Sequence, residues 1–313
     1  MNKFKNIVKE SLYPFLDVFS VDWLIQKSGE RVIFPFYHAV TNDPPPHLKH
    51  LGTFRSIEDF QKDLEFLTKY FQPISLNDLL SKKQIAKPSF HLTFDDGLLE
   101  FYTTVKPILL EKGIPCSIFL NTGFIDNKDM SFRLKASLLY DTLNEKNLFN
   151  LSYSQNDQMH EIALRNKVTF GEYLKNHKPY LTTEQIIDLR NCGFTFGSHS
   201  VDHPDYRLLP IEKQVEQTLK SLSEIKKTFN LSYSVFAFPF TSDEISVRFF
   251  DKTQAEVDFY FGTSGIKKDN ITNVFHRIPM EQKTKKGQDI IKQEYLYFLI
   301  KKIFNKNRIT RHY

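Results

Sequence analysis

Two adjacent carboxylates close an apolar stretch in His91-Leu92-Thr93-Phe94-Asp95-Asp96-Gly97. Neighbouring aspartates repel one another and both disfavour a strand interior, so a pair at a strand end calls for a compensating cation. Further along, Gly197-Ser198-His199-Ser200-Val201-Asp202-His203 supplies two imidazoles four residues apart. That spacing brings both rings to one side of a helical turn or tight loop. Two imidazoles and a carboxylate bind a divalent metal and leave positions open for water and substrate. Such a face suits zinc, and also iron, cobalt, manganese or nickel. The second aspartate can then stand beside a metal-activated water and accept its proton. Successive side chains of extended backbone diverge, so separate roles suit the pair better than shared ligation. The bland alternatives are a solvated turn that caps the next helix and a histidine pair without metal. The two stretches together, each after an apolar run, favour chemistry.

The elements that must position these residues alternate regularly. Apolar runs near 32–37, 90–94, 116–120, 194–197, 235–238, 259–262 and 274–278 read as strands. Most are separated by helical patterns. Ser56-Ile57-Glu58-Asp59 and Thr182-Thr183-Glu184-Gln185 open helices with capping signals. A helix over about 98–112 stops at Gly113 and Pro115, and Pro107 is expected to kink or restart it. This order implies a mostly parallel sheet, open or closed into a barrel, with chemistry at the C-terminal ends of its strands. His38, Asp95, Asp96, His199 and Pro239-Phe240 all directly follow apolar runs.

Three segments depart from the rhythm. Residues 1–28 read as a helical N-terminal segment broken at Pro14, with Phe4, Ile7, Val8, Leu12, Phe15, Leu16 and Phe19 near helical spacing. Residues 126–180 lack strands and show helical Leu/Tyr spacing, so they read as a mostly helical insertion beside the active face, a place for lids and specificity elements. The tail, 281–313, carries the charge. Residues 283–313 hold nine basic and two acidic side chains, so the rest of a chain of net charge +5 is near −2. The body is therefore not a nucleic-acid-binding surface. Ile290, Ile291, Tyr295, Phe298, Leu299, Ile303 and Phe304 interleave with lysines, reading as a basic amphipathic helix over 283–303. It either packs on the barrel with a solvated lysine face or makes peripheral contact with an anionic membrane. No secretory leader pattern or membrane-spanning run is present, which points to a cytoplasmic location, at the inner face of the membrane if the tail binds there. Cys116 and Cys192 form no cluster and read as small thiols.

Thr93-Phe94-Asp95-Asp96-Gly97 with His199-Ser200-Val201-Asp202-His203 resembles the first two motifs of the NodB-type polysaccharide deacetylases, carbohydrate esterase family 4. Phe36-Tyr37-His38-Ala39-Val40 is similar to the start of exopolysaccharide deacetylases of that superfamily. The resemblance implies a distorted (β/α)7 barrel over residues 29–280. It implies metal-dependent removal of N-acetyl groups from a saccharide substrate, with one divalent metal, zinc first and cobalt, nickel, iron or manganese as alternatives. By position Asp96, His199 and His203 would be the ligands and Asp95 the general base. Pro239-Phe240 would lie in the third motif, with the Phe240 N–H as oxyanion donor. The pattern also departs from the family. Ala237 and its neighbours provide no arginine to orient the base, and Arg277 is offered instead. His276 stands as the candidate general acid, and His38 as a substrate-contact or supporting residue. Asp202, Asp205 and Tyr206 could bond sugar hydroxyls, and Tyr140, Tyr153, Phe170, Tyr173 and Tyr180 could stack on sugars or form the insertion's own core. An O-deacetylase, another C–N amidohydrolase, and a non-catalytic saccharide-binding descendant are the alternatives.

Overall fold

Seven short apolar segments build the centre of the molecule in a computed structural model that describes residues 9–81, 85–282 and 284–313. Phe4, Ile7 and Val8 of the expected N-terminal helix lie outside the described residues. The barrel strands are β1 (Pro35–Tyr37), β2 (Leu92–Phe94), β3 (Cys116–Leu120), β4 (Thr195–Ser198), β5 (Val235–Ala237), β6 (Phe259–Gly262) and β7, which is split into Val274–His276 and Ile278–Pro279. All their pairings are parallel and follow chain order from β1 to β7. The ring closes because the first half of β7 pairs with β6 and the second half with β1. Arg277 sits at the break between the halves. The alternating pattern left open whether the sheet closes; it does, as the (β/α)7 barrel that the resemblance implies.

The strands are buried along nearly their whole length, as expected of parallel strands covered on both faces. Aromatic rings fill much of the interior: Phe261 meets Phe34 at 5.8 Å and Phe119 at 5.1 Å between centroids. Gly197 on β4 leaves room for this cluster, because a Cβ there would lie 2.5 Å from the Phe119 ring. Pro107 acts as its chemistry requires. It has no N–H for the preceding turn, and the chain runs as a wide π-helical turn over Phe101–Val105 before the α-helix Lys106–Lys112.

The insertion is helical, with α-helices Phe132–Leu143, Asn156–Arg165 and Phe170–His177. Leu138, Met159, Ala163, Phe170, Leu174 and Tyr180 join in one core with Ala39, Leu48, Leu98 and Phe124 from outside the insertion, and Tyr140, Tyr153 and Tyr173 pack against it. Those aromatic residues go into or against this core.

The tail helix, Gly287–Ile303, corrects the amphipathic expectation. Ile290, Ile291, Tyr295, Leu296 and Phe298 are buried in the main core together with Leu16, Leu24 and Ile25 of the N-terminal segment. Some of its polar residues are covered as well, while Gln288 and Lys302 are exposed. Asp289 accepts from the Tyr13 hydroxyl at 3.2 Å, and Glu294 pairs with Lys9. The N-terminal segment packs on this helix. Among the described residues no helix is long and apolar enough to cross a membrane.

Candidate active site

The C-terminal ends of β1, β2, β4 and β5 deliver side chains to one cavity of about 590 Å³. His38, Asp95, Asp96, His199, His203 and Phe240 all line it, as do Ser131, Arg133 and Leu134 from the insertion. A larger cavity, about 1000 Å³, opens where the strands begin, beside Val32, Phe259 and Val274, and none of those six residues lines it. Backbone strain concentrates at the smaller one. Asp96, Ser200, His203 and Phe240 hold φ of 69°, 73°, 59° and 59°, a left-handed region that side chains other than glycine adopt only when their surroundings insist.

Asp96, His199 and His203 offer three ligand atoms within 4.8 Å of one another. The Asp96 Oδ1 lies 3.6 Å from His199 Nε2 and 3.4 Å from His203 Nε2. That oxygen is buried and has no hydrogen-bond partner among the described residues. His199 gives its Nδ1 proton to the Ala237 carbonyl at 2.8 Å, which leaves Nε2 as a lone pair facing Asp96. Burial pushes both histidines down to about 4, so both are neutral and ready to ligate near neutral pH. Burial and the neighbouring Asp95 push Asp96 up, so an ionised Asp96 needs a cation beside it. The donor set fits a divalent metal.

Asp95 is treated differently from its neighbour. Arg277 grips it with both ends of the guanidinium, at 2.6 and 2.8 Å, and also donates to Thr93 Oγ1 at 3.1 Å. Burial would raise the Asp95 carboxyl, but Arg277 and then His199 hold it down to about 2. The cation is itself sandwiched over Phe36 and Phe119, at 4.5 and 5.2 Å from the ring centroids. Arg277 thus does what the third motif lacks.

His276 is a correction. Side chains alternate along a strand, so with Arg277 turned to Asp95 inside the barrel, His276 faces the other way. Its Nε2 bonds Asp269 at 2.9 Å, and Arg311 grips the same carboxylate. It lines the larger cavity and does not reach Asp95. His38, unlike His276, lines the cavity of Asp95 and Asp96. Its Nδ1 meets Glu281 Oε2 at 2.6 Å, and Glu281 Oε1 accepts the N–H groups of His38 and Ala39 at 2.6 and 3.1 Å. Burial would lower this ring, but Glu281, with Asp96 and Asp95 behind it, raises it to about 9. Glu281 escaped the sequence reading, although it lies just beyond the C-terminal end of β7, where the strand-end rule directs attention.

The remaining candidates divide. Phe240 reaches the cavity, its ring 5.0 Å from His203, and its N–H has no partner among the described residues. Pro239 is buried beneath that turn and does not line the cavity. Asp202, Asp205 and Tyr206 already have protein partners in Tyr153, Arg207 and Thr218.

A model of the polysaccharide deacetylase family matches residues 82–255, more than half of the chain. Sequence comparison with curated proteins gives no match. Among solved structures, the deacetylase PplD of Streptococcus pyogenes in complex with acetate is 15% identical, with a TM-score of 0.59 over 85% of this chain and 98% of that one. IcaB from Ammonifex degensii is 14% identical, with a TM-score of 0.58 and the same coverage. A de-N-acetylase from Aggregatibacter actinomycetemcomitans is 14% identical, with a TM-score of 0.56 over 79% of this chain and 94% of that one. At these identities the likeness speaks for the fold.

Proposed function

The chain belongs to the polysaccharide deacetylase family, hydrolases of carbon–nitrogen bonds other than peptide bonds, and on that premise we propose that it removes N-acetyl groups from amino sugars of a polysaccharide or saccharide precursor. One observation carries the reading. A carboxylate held ionised and an imidazole held protonated line the same cavity as an Asp/His/His ligand set. A divalent cation on Asp96, His199 and His203, zinc by the character of these donors, would supply Lewis acidity to an acyl carbonyl and lower the pKa of a water.

The chain's own residues do the rest. Asp95, kept ionised and fixed in direction by Arg277, accepts the proton of the attacking water. The Phe240 N–H donates to the carbonyl oxygen as negative charge gathers there. His38 gives the proton of its free ring nitrogen to the departing nitrogen, and Glu281 fixes the ring and favours its charged form. An amine leaves poorly unless it is protonated, so a protonated imidazole suits N-deacetylation better than ester cleavage. The ion pair of Asp95 with Arg277 and the imidazole of His38 at the same cavity support a catalytic reading over a purely sugar-binding descendant. The test is acetate release by the zinc-loaded protein from matched N-acetylated and O-acetylated oligosaccharides. Faster release from the N-acetylated set supports the proposal, and release only from esters overturns it.

A further inference from the structure

Every residue between the two ligand histidines is tied down, and the ties come from two parts of the molecule. The loop needs them, because Ser200 and His203 both hold left-handed backbone, a cost on the order of 1–3 kcal/mol each that surrounding contacts must offset. The barrel secures most of it. Thr122 N–H donates to the Ser200 carbonyl at 3.2 Å and Gly123 N–H to the Val201 carbonyl at 2.8 Å. Gln217 Oε1 accepts the Val201 N–H at 3.0 Å, and Ser200 Oγ accepts the His203 N–H at 3.0 Å.

Asp202 is the exception. Its Oδ2 accepts the phenol of Tyr153, which belongs to the insertion, and its Oδ1 is buried without a partner among the described residues. Tyr153 rides on a firm support. It opens the 3-10 turn Tyr153–Gln155, which Ser152 and Gln155 close with a reciprocal cap. That turn runs directly into the helix Asn156–Arg165, whose Met159 and Ala163 sit in the insertion's core. Tyr153 therefore ties the loop between His199 and His203 to the packed interior of the insertion.

We propose that Tyr153 is a positioning residue for the metal-binding loop, and that the insertion serves as a clamp that holds His199 and His203 at the spacing Asp96 requires. This rests on the reading of those three residues as metal ligands. Without the phenol, neither oxygen of this half-buried carboxylate would have a protein partner among the described residues, and the loop would gain by swinging the covered Oδ1 toward water. The two histidines would then share their ligand geometry with other arrangements, and affinity would fall.

The test removes one oxygen atom, in Tyr153→Phe of the full chain. Zinc affinity of the metal-free protein is read by competition with a chromophoric chelator, and its thermal midpoint is measured alongside. The zinc dissociation constant should rise about tenfold, the lower end of what lost supporting contacts cost a metal site, with the metal-free midpoint nearly unchanged. Asp202→Asn, which still offers an acceptor to the phenol, should lose less. Unchanged zinc affinity in Tyr153→Phe overturns the clamp, and so does an affinity loss that merely tracks a large fall in the metal-free midpoint. A wild-type protein that binds no zinc defeats the ligand assignment itself, and the clamp with it.

Discussion

Replacing Glu281 by Gln isolates the charge that holds His38 protonated. Burial lowers that ring, and Glu281 is the first of the groups that lift it to about 9. An amide keeps the shape and removes the charge, so burial dominates and the ring falls to its ordinary 6.5 or below. At pH 8 a ring at 9 is about nine-tenths protonated and one at 6.5 about one-thirtieth, so kcat/KM in the variant drops by up to about 30-fold there. A cation beside Asp96 offsets the lift that Asp96 itself contributes, which makes the loss in the loaded protein smaller. The assay is the pH profile of acetate release from an N-acetylated oligosaccharide, compared between the two proteins. The basic limb should move down by about one to two pH units, and the variant should regain most of its rate near pH 6. A basic limb at the same pH in both proteins refutes His38 as the acid. Stability follows the same linkage. The folded His38 titrates above its unfolded value, so its contribution is complete below about 6.5 and is lost as pH rises through about 9. That is about 3 kcal/mol across the window in the wild type, and much less in Glu281→Gln.

Arg277→Lys keeps a charge and loses the fork that grips Asp95. Its kcat should fall on the order of tenfold to a hundredfold, because a misdirected base is poorly placed. Asp95 titrates in the folded state below its unfolded value of 3.8, so its stabilisation is present above about 4 and lost as pH falls through about 2. Acid unfolding of Arg277→Lys should therefore begin at higher pH than in the wild type, and coincident acid-unfolding curves would contradict the pairing. His276→Gln removes a buried partner of Asp269 and should cost about 1–3 kcal/mol of stability in denaturant titrations. Its basic kinetic limb should not move, and a displaced limb would return His276 to the reaction.

The alternation of apolar runs with capped helical patterns was enough to predict a mostly parallel sheet, because each strand is short, buried and bounded by its own start and stop signals, while its closure into a seven-stranded barrel came from the family resemblance. Asp95, Asp96, His199 and His203 could be read for the same reason: all follow apolar runs, and the ends of barrel strands converge. His38 follows an apolar run too, but the family resemblance put His276 forward as the acid. His276 and Arg277 are neighbours at the end of β7, and a one-residue choice of which side chain faces inward decides which enters the site. The break in β7 at Arg277 settles that choice, and no periodicity in so short a run announces it. Glu281 and His38 lie more than two hundred residues apart in sequence, and they meet only because the last strand closes on the first. The tail was legible in part. Packing on the barrel was one of its two readings, and the lysines hid how much of the helix the N-terminal segment covers.

The central claim is that Asp95 removes a proton while Asp96, with the two histidines, holds a metal. Zinc content and acetate release measured together on the wild type and Asp95→Asn test it most directly. Both proteins should bind about one zinc per chain, while acetate release in the variant falls on the order of a hundredfold to ten-thousandfold. An Asp95→Asn protein that keeps the wild-type rate, or a zinc-loaded wild type that frees no acetate from any N-acetylated saccharide in a broad panel, would contradict the account.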